Sequence, residues 1–189
     1  MYDKQNLHLV FEGLDTYADV YLNNEKVLSS DNMFRTWNVD VKSKIKVGEN
    51  NLNVYFHNVF KINGPKYDNA EYRLQAFRNN DQADIKLNLY SRKAGFHYGW
   101  DWGPRLVTAG IWRPVTLRGW SDFKIDDVYF RQTKVSAKKA EISVEYTISS
   151  KTQKTVELVI NNEGLAVKTQ KVELKPGTNK VILPIVIEN

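Results

Sequence analysis

The densest chemistry in the sequence runs through Arg92-Lys93-Ala94-Gly95-Phe96-His97-Tyr98-Gly99-Trp100-Asp101-Trp102-Gly103-Pro104-Arg105. A flat indole stacks on the C–H face of a pyranose, while a neighbouring carboxylate and basic groups fix its hydroxyls by charge-assisted hydrogen bonds. Gly99, Gly103 and Pro104 let the backbone turn tightly and hold those side chains in place. The competing role for the same residues is to staple a large loop to its scaffold, because buried loop aromatics are common. Composition alone leaves the two balanced.

Hydrolysis by this chain alone is not expected. A glycosidase needs two carboxyl groups across the scissile bond, about 5–5.5 Å apart for retention or about 6.5–9.5 Å for inversion. Asp101 is the one acid inside the aromatic segment, and nothing marks Glu71, Asp81 or Asp84 upstream as a pair. His8, His57 and His97 have no metal-ligand spacing, and no Gly-x-Ser-x-Gly supplies a nucleophile. His97 is expected to order the loop, and His8 and His57 to be structural residues on strands. Asp15 reads as a turn acid bonding nearby backbone N–H groups, since no Asp-x-Asp ladder supports calcium. The Gly99–Gly103 stretch lacks the Lys-Ser/Thr of a phosphate loop. No metal and no cofactor is therefore expected.

Composition removes further classes. The chain has 189 residues and no Cys, which excludes disulfides, thiol catalysis and Cys-ligated metal. Its formal charge of +5 comes from 27 basic and 22 acidic residues interspersed along the whole length. That argues for a solvated mixed surface and against a nucleic-acid arm or a membrane patch. No apolar run approaches the ~20 residues of a membrane span, and Met1–Asn6 has no apolar signal core.

The elements that must position the aromatic segment have a period of two. Leu7, Leu9 and Phe11 alternate, as do Ala18, Val20 and Leu22, which run into Asn23-Asn24, a two-residue hairpin turn. Trp37, Val39 and Val41 form a third set and Leu52, Val54 and Phe56 a fourth. From about Phe60 to Pro104 the chain is polar, aromatic and rich in Asn, including Asn79 and Asn80, with Leu87 and Leu89 hinting at one short strand. No amphipathic helix is expected there; the stretch reads as a long ordered loop. Ile111–Arg118 restores strand character and Gly119–Asp122 marks a boundary. Plainer alternation follows at Ile142–Ile148, Val156–Ile160, Val172–Leu174 and Val181–Ile187, punctuated by the turns Asn161–Gly164 and Lys175–Asn179. The predicted fold is all-β: a β-sandwich over 1–121, then an immunoglobulin-like sandwich over 122–189 cut short at its C-terminus, since four or five strands stand where about seven are usual.

The run Leu9–Trp120 resembles the amino-terminal jelly-roll (galactose-binding-like) domain of the glycoside hydrolases that include β-mannosidases, β-galactosidases and β-glucuronidases. Phe11-Glu12-Gly13-Leu14-Asp15-Thr16-Tyr17-Ala18-Asp19-Val20-Tyr21-Leu22-Asn23 looks like their first signature strand, and Gly110-Ile111-Trp112-Arg113-Pro114-Val115 like their closing one. Tyr98–Arg105, with Asp31-Asn32-Met33-Phe34-Arg35, is similar to the β-mannosidase branch. The resemblance implies a piece of a retaining exo-β-mannosidase, short at its N-terminus, whose catalytic Glu pair lies on a (β/α)8 barrel elsewhere in the parent chain. It implies that Trp100 and Asp101 line the subsite for a terminal β-mannoside, while His97, Tyr98, Trp102 and Arg105 support the loop. No catalytic residue falls in this chain. The alternatives are β-galactosidase or β-glucuronidase specificity, a stand-alone carbohydrate-binding module, and an adhesion sandwich in which Trp100 and Asp101 are buried. A periplasmic, extracellular or lysosomal home is only what the family suggests.

Overall fold

A computed structural model of the chain describes residues 2–72, 74, 81–163 and 165–188, the side chains of 162 and 165–167 excepted. Asn79, Asn80 and Gly164 lie outside the described residues. The chain divides into two compact units, 1–119 and 120–189.

In the first unit, β1 (Asn6–Phe11), β2 (Leu14–Asp15), β3 (Tyr17–Leu22), β4 (Glu25–Asp31), β5 (Trp37–Asp40) and β6 (Leu52–Phe56) precede one helix, α1 (Val59–Asp68). After two 3-10 turns, Asn88–Tyr90 and Gly95–Tyr98, come β7 (Gly110–Ile111) and β8 (Val115–Trp120). The sheets are ordered β5-β1-β8, β4-β3-β6 and β2-β7. Alternation places Leu7, Leu9 and Phe11 of β1 against Ala18, Val20 and Leu22 of β3, with Leu14 and Val41 completing the core. The hairpin β3–β4 closes through Asn23 and Asn24, both in the left-handed region that Asn tolerates, with φ of 51° and 69°.

Two expectations for residues 60–104 are corrected. The segment contains α1, capped by the Asn58 side chain, which accepts from the N–H groups of Phe60 and Lys61. Its apolar stripe is too narrow to read in the sequence: only Val59 and Asn63 are buried, and Gly64-Pro65 looks like a breaker. Leu87 and Leu89 form no strand, because Leu87 caps the 3-10 turn and is buried while Leu89 faces solvent.

The second unit is a β-sandwich of β9 (Phe123–Val135), β10 (Lys139–Ser150), β11 (Lys154–Asn162), β12 (Leu165–Leu174) and β13 (Gly177–Glu188). The sheet β13-β10-β9 packs on β11-β12 through Val144, Tyr146 and Ile148 from one side and Val156, Leu158 and Ile160 from the other. On β9, Ile125 and Phe130 pair with the core residues Ile148 and Val144, yet remain half exposed.

Candidate functional site

The aromatic segment is irregular backbone hung between two fixed legs. On the incoming leg, Asn32 and Arg92 form a parallel bridge, Met33 N–H donates to the Arg92 carbonyl at 3.0 Å, and Ala94 N–H meets Met33 Sδ. Asn32–Met33 and Arg92–Ala94 are thus neighbours in space although far apart in sequence. On the outgoing leg, Trp112 donates from its indole Nε1 to the Met33 carbonyl at 2.9 Å. Its ring lies where a side chain at residue 13 would stand, 2.4 Å from a Cβ built there, so residue 13 has to be Gly.

Between the legs the chain makes a tight turn. Gly103 N–H donates to the Trp100 carbonyl, and Asp101 takes a positive φ of 38°. Gly99 has φ +102° and its backbone rests on the Gln82 side chain, which donates to the carbonyls of Gly103 (3.1 Å) and Asp101 (3.4 Å). Trp100 is 58% exposed and the Asp101 side chain faces solvent, so neither is sealed in the sandwich. This is the opposite of what the adhesion reading requires. A pocket of about 500 Å³ opens beside Trp100, walled by Trp100, Trp102, Phe96, Pro104 and Leu106. A second, of about 370 Å³, shares Phe96 and His97 and has Phe34, Ile111 and Trp112 on its rim.

The supporting residues divide. Tyr98 is fully buried beside Tyr17 and Val59, and burial pushes its phenol pKa up. Arg105 donates from Nε to Asp81 Oδ1 at 3.0 Å and lies over the rings of Phe60 and Tyr98. Asp81 is buried and also accepts from the N–H groups of Ala83, Leu87 and Asn88. His97 places Nδ1 3.1 Å from the Thr108 hydroxyl and 3.3 Å from the Leu106 carbonyl. Trp102, expected to support the loop, is 94% exposed and stands as an open aromatic surface. Beneath the loop, the Tyr90 hydroxyl, the Asn63 amide N–H and Arg105 Nη2 are buried with no hydrogen-bond partner among the described residues.

The Asp15 expectation is also corrected. Asp15 belongs to β2, is buried, and accepts from Lys93 Nζ at 2.5 Å and from the Thr16 hydroxyl at 2.6 Å. Lys93 is likewise buried, and desolvation holds its ammonium below the usual Lys pKa against the pull of Asp15. Sequence reasoning missed this pair, as it missed Asp81–Arg105 and Gln82. Partners 78 and 24 residues apart leave no local signal. The one hint was a Lys running directly into Ala94-Gly95-Phe96. His8, on β1, bonds Asn38, and His57, just past β6, lies 3.0 Å from Asp19 Oδ2. Among the described residues no cluster of His, Cys, Asp and Glu could hold a metal ion, and no helix is long and apolar enough to cross a membrane.

Residues 1–113 match the family described as glycosyl hydrolase 2 galactose-binding domain-like. A protein named beta-mannosidase B from Thermothelomyces thermophilus is 31% identical over 182 residues, covering 96% of this chain and 21% of its own. Beta-mannosidase B from Emericella nidulans is 39% identical over 126 residues, covering 66% and 14%. The crystal structure of a beta-D-mannosidase from Dictyoglomus thermophilum superposes on 100% of this chain and 23% of its own, with a TM-score of 0.83 and 32% identity. The chain therefore spans about a fifth, or less, of the length of these relatives.

Proposed function

This chain belongs to the glycosyl hydrolase 2 galactose-binding domain-like family, and from that premise we propose that it is the sugar-side module of a longer retaining exo-β-mannosidase. The observation that carries the reading is the braced turn itself, in which the exposed Trp100 indole walls an apolar pocket and the next residue, Asp101, is exposed. Trp100 walls the subsite for the terminal β-mannose, and Asp101 accepts hydrogen bonds from its hydroxyls. A carboxylate-to-hydroxyl bond contributes about 1.5–3 kcal/mol, enough to select one epimer but not to break a glycosidic bond. The catalytic carboxyl pair belongs to a (β/α)8 barrel in the rest of the parent chain, which holds most of the sugar.

In the full polypeptide carrying this segment, Trp100→Ala and Asp101→Ala should each lower kcat/KM for an aryl β-mannoside by about 100-fold, close to 2.7 kcal/mol. A loss below threefold in both variants would contradict the reading. The 189-residue chain alone should give no turnover. A second reading, an independent carbohydrate-binding module, is favoured by the nearly free Trp102 ring. Calorimetric titration of the isolated chain with mannan separates the two, because only an independent module binds with micromolar affinity.

A further inference from the structure

Both legs of the loop that carries Trp100 and Asp101 converge on one buried carboxylate. The Lys93 side chain, on the incoming leg, has 0% exposure. Its ammonium donates to Asp15 Oδ1 at 2.5 Å and, across the loop, to the Thr108 carbonyl on the outgoing leg at 2.6 Å. An ammonium removed from water this completely is tolerated only where a carboxylate and other acceptors replace its hydration. His97 completes the arrangement. Its Nε2 lies 3.6 Å from Asp15 Oδ2, while Nδ1 faces Leu106 and Thr108 on the far leg. Asp15 itself is fixed in the scaffold: it pairs with Gly110 in the β2–β7 ladder and lies between the buried residues Leu14 and Thr16.

We propose that Asp15 is the positioning residue of the Trp100–Asp101 turn, transmitting the rigidity of the sandwich core to a segment almost without ladder bonds of its own. Its functional meaning rests on the sugar-binding reading of that turn; the mechanical claim does not. The other anchors act differently. Asp81 grips Arg105, but it sits in the irregular stretch 81–87 and can only tie one loop to another. Gln82 touches the turn directly from an exposed side chain. Among the ion pairs of the described residues, those of Asp15 alone join this loop to a strand.

Positioning and stability can be separated here. Replacing both members of a buried ion pair by neutral groups of similar size often leaves a fold intact, whereas removing one member strands the other. Asp15→Asn/Lys93→Met does the former and deletes both the carboxylate and the tether to Thr108. The test follows amide exchange by NMR in the 189-residue chain at Gly99 and Gly103, which donate to the Phe96 and Trp100 carbonyls. Leu9 and Val20 in the core serve as references. Exchange at the two glycines should accelerate at least tenfold, with the Trp100 indole resonance broadened, while the references stay within twofold. His97→Gln, which spares the Asp15–Lys93 pair, should accelerate the same glycines at least threefold, and it decides the matter if the double variant does not fold. Unchanged glycine exchange in a folded variant, or equal acceleration at Leu9 and Val20, overturns the proposal. Turnover by the longer enzyme carrying Trp100→Ala is scored separately: full activity there removes the sugar reading and leaves the anchor standing.

Discussion

Substituting Gly99 tests whether the turn is held in one geometry. The backbone at Gly99 has φ +102° and ψ 150°, a region essentially closed to residues with a Cβ, and occupying it costs about 1–3 kcal/mol. A methyl group there would also stand 2.4 Å from Gln82 Cδ and 2.6 Å from Cγ, so Gln82 has to withdraw. Its two hydrogen bonds to the turn are then lost, about 0.5–1.5 kcal/mol each and toward the low end because the side chain is exposed. Gly99→Ala should therefore destabilise the native turn by about 2–5 kcal/mol. Local opening of the loop limits how much of this reaches the global melt. Differential scanning calorimetry should show a fall of at least about 4 °C in the melting of the first unit, at about 2–4 °C per kcal/mol. Trp fluorescence should shift as Trp100 reorients. In a Gln82→Ala background, where the clash and the two hydrogen bonds are already absent, Gly99→Ala should cost only the dihedral share, about 1–3 kcal/mol. Gly110→Ala is the control, because nothing lies within 4 Å of a Cβ there. Melting of Gly99→Ala within 1 °C of the parent, with unchanged fluorescence, would refute the idea of a glycine-dependent turn.

Three further outcomes follow from the same structure. Asp19, held at a pKa of about 2 chiefly by Lys26 and Ser29, contributes stability that is complete above pH 4 and lost as pH falls toward 2; after screening at half-exposed Lys26 this is about 1 kcal/mol, and acid titration of Asp19→Asn should lose that slope. The Tyr98 phenol stays neutral in the fold above its ordinary pKa, so stability drops as pH rises past 10; Tyr98→Phe should flatten that limb and, since it gives up a buried hydroxyl that faces the Ser91 side chain, change stability at pH 7 by less than about 1.5 kcal/mol by chemical denaturation. Trp102→Ala should change stability by less than about 0.5 kcal/mol, whereas Trp112→Ala, which removes the bond to Met33 and opens space over Gly13, should cost about 3 kcal/mol.

How much of this was legible in the sequence depended on whether a feature was local. β1 and β3 were readable because their alternation is uninterrupted, and Asn23-Asn24 because its chemistry matches the turn it makes. β9 was not singled out, for a physical reason. Asp126 is skipped in the pairing with β10, so the apolar residues Ile125, Val128 and Phe130 step by three and then two, and the period-two signal cancels. α1 hid behind Gly64-Pro65 and a stripe that buries an Asn as deeply as a Val. At the site, Trp100 and Asp101 stood out by type and spacing, as did His97, Tyr98 and Arg105 beside them, but the distant partners Asp15, Asp81 and Gln82 were invisible. Asp15 looked like any turn acid, because a carboxylate's partner 78 residues away leaves no mark on its neighbours.

That division follows from what each part of the unit has to do. A sandwich core is specified by pattern: any apolar residue of about the right size on the correct face stabilises it. A loop that exposes an indole and a carboxylate cannot use pattern, since its outward side chains do not pack into the core and its backbone must turn at Gly99 and Gly103. It has to be fixed by a few directional contacts made on its underside, and charged groups suit that task because a buried ammonium or guanidinium accepts few alternative arrangements. Asp15–Lys93 and Asp81–Arg105 are those contacts. Their desolvation cost, visible in the depressed pKa of Lys93, is incurred once on folding. A flexible loop would instead lose conformational freedom at each binding event, at about 0.5–1.5 kcal/mol for every side chain immobilised. In the proposed reading, the anchored loop instead offers the sugar a surface already in its bound geometry.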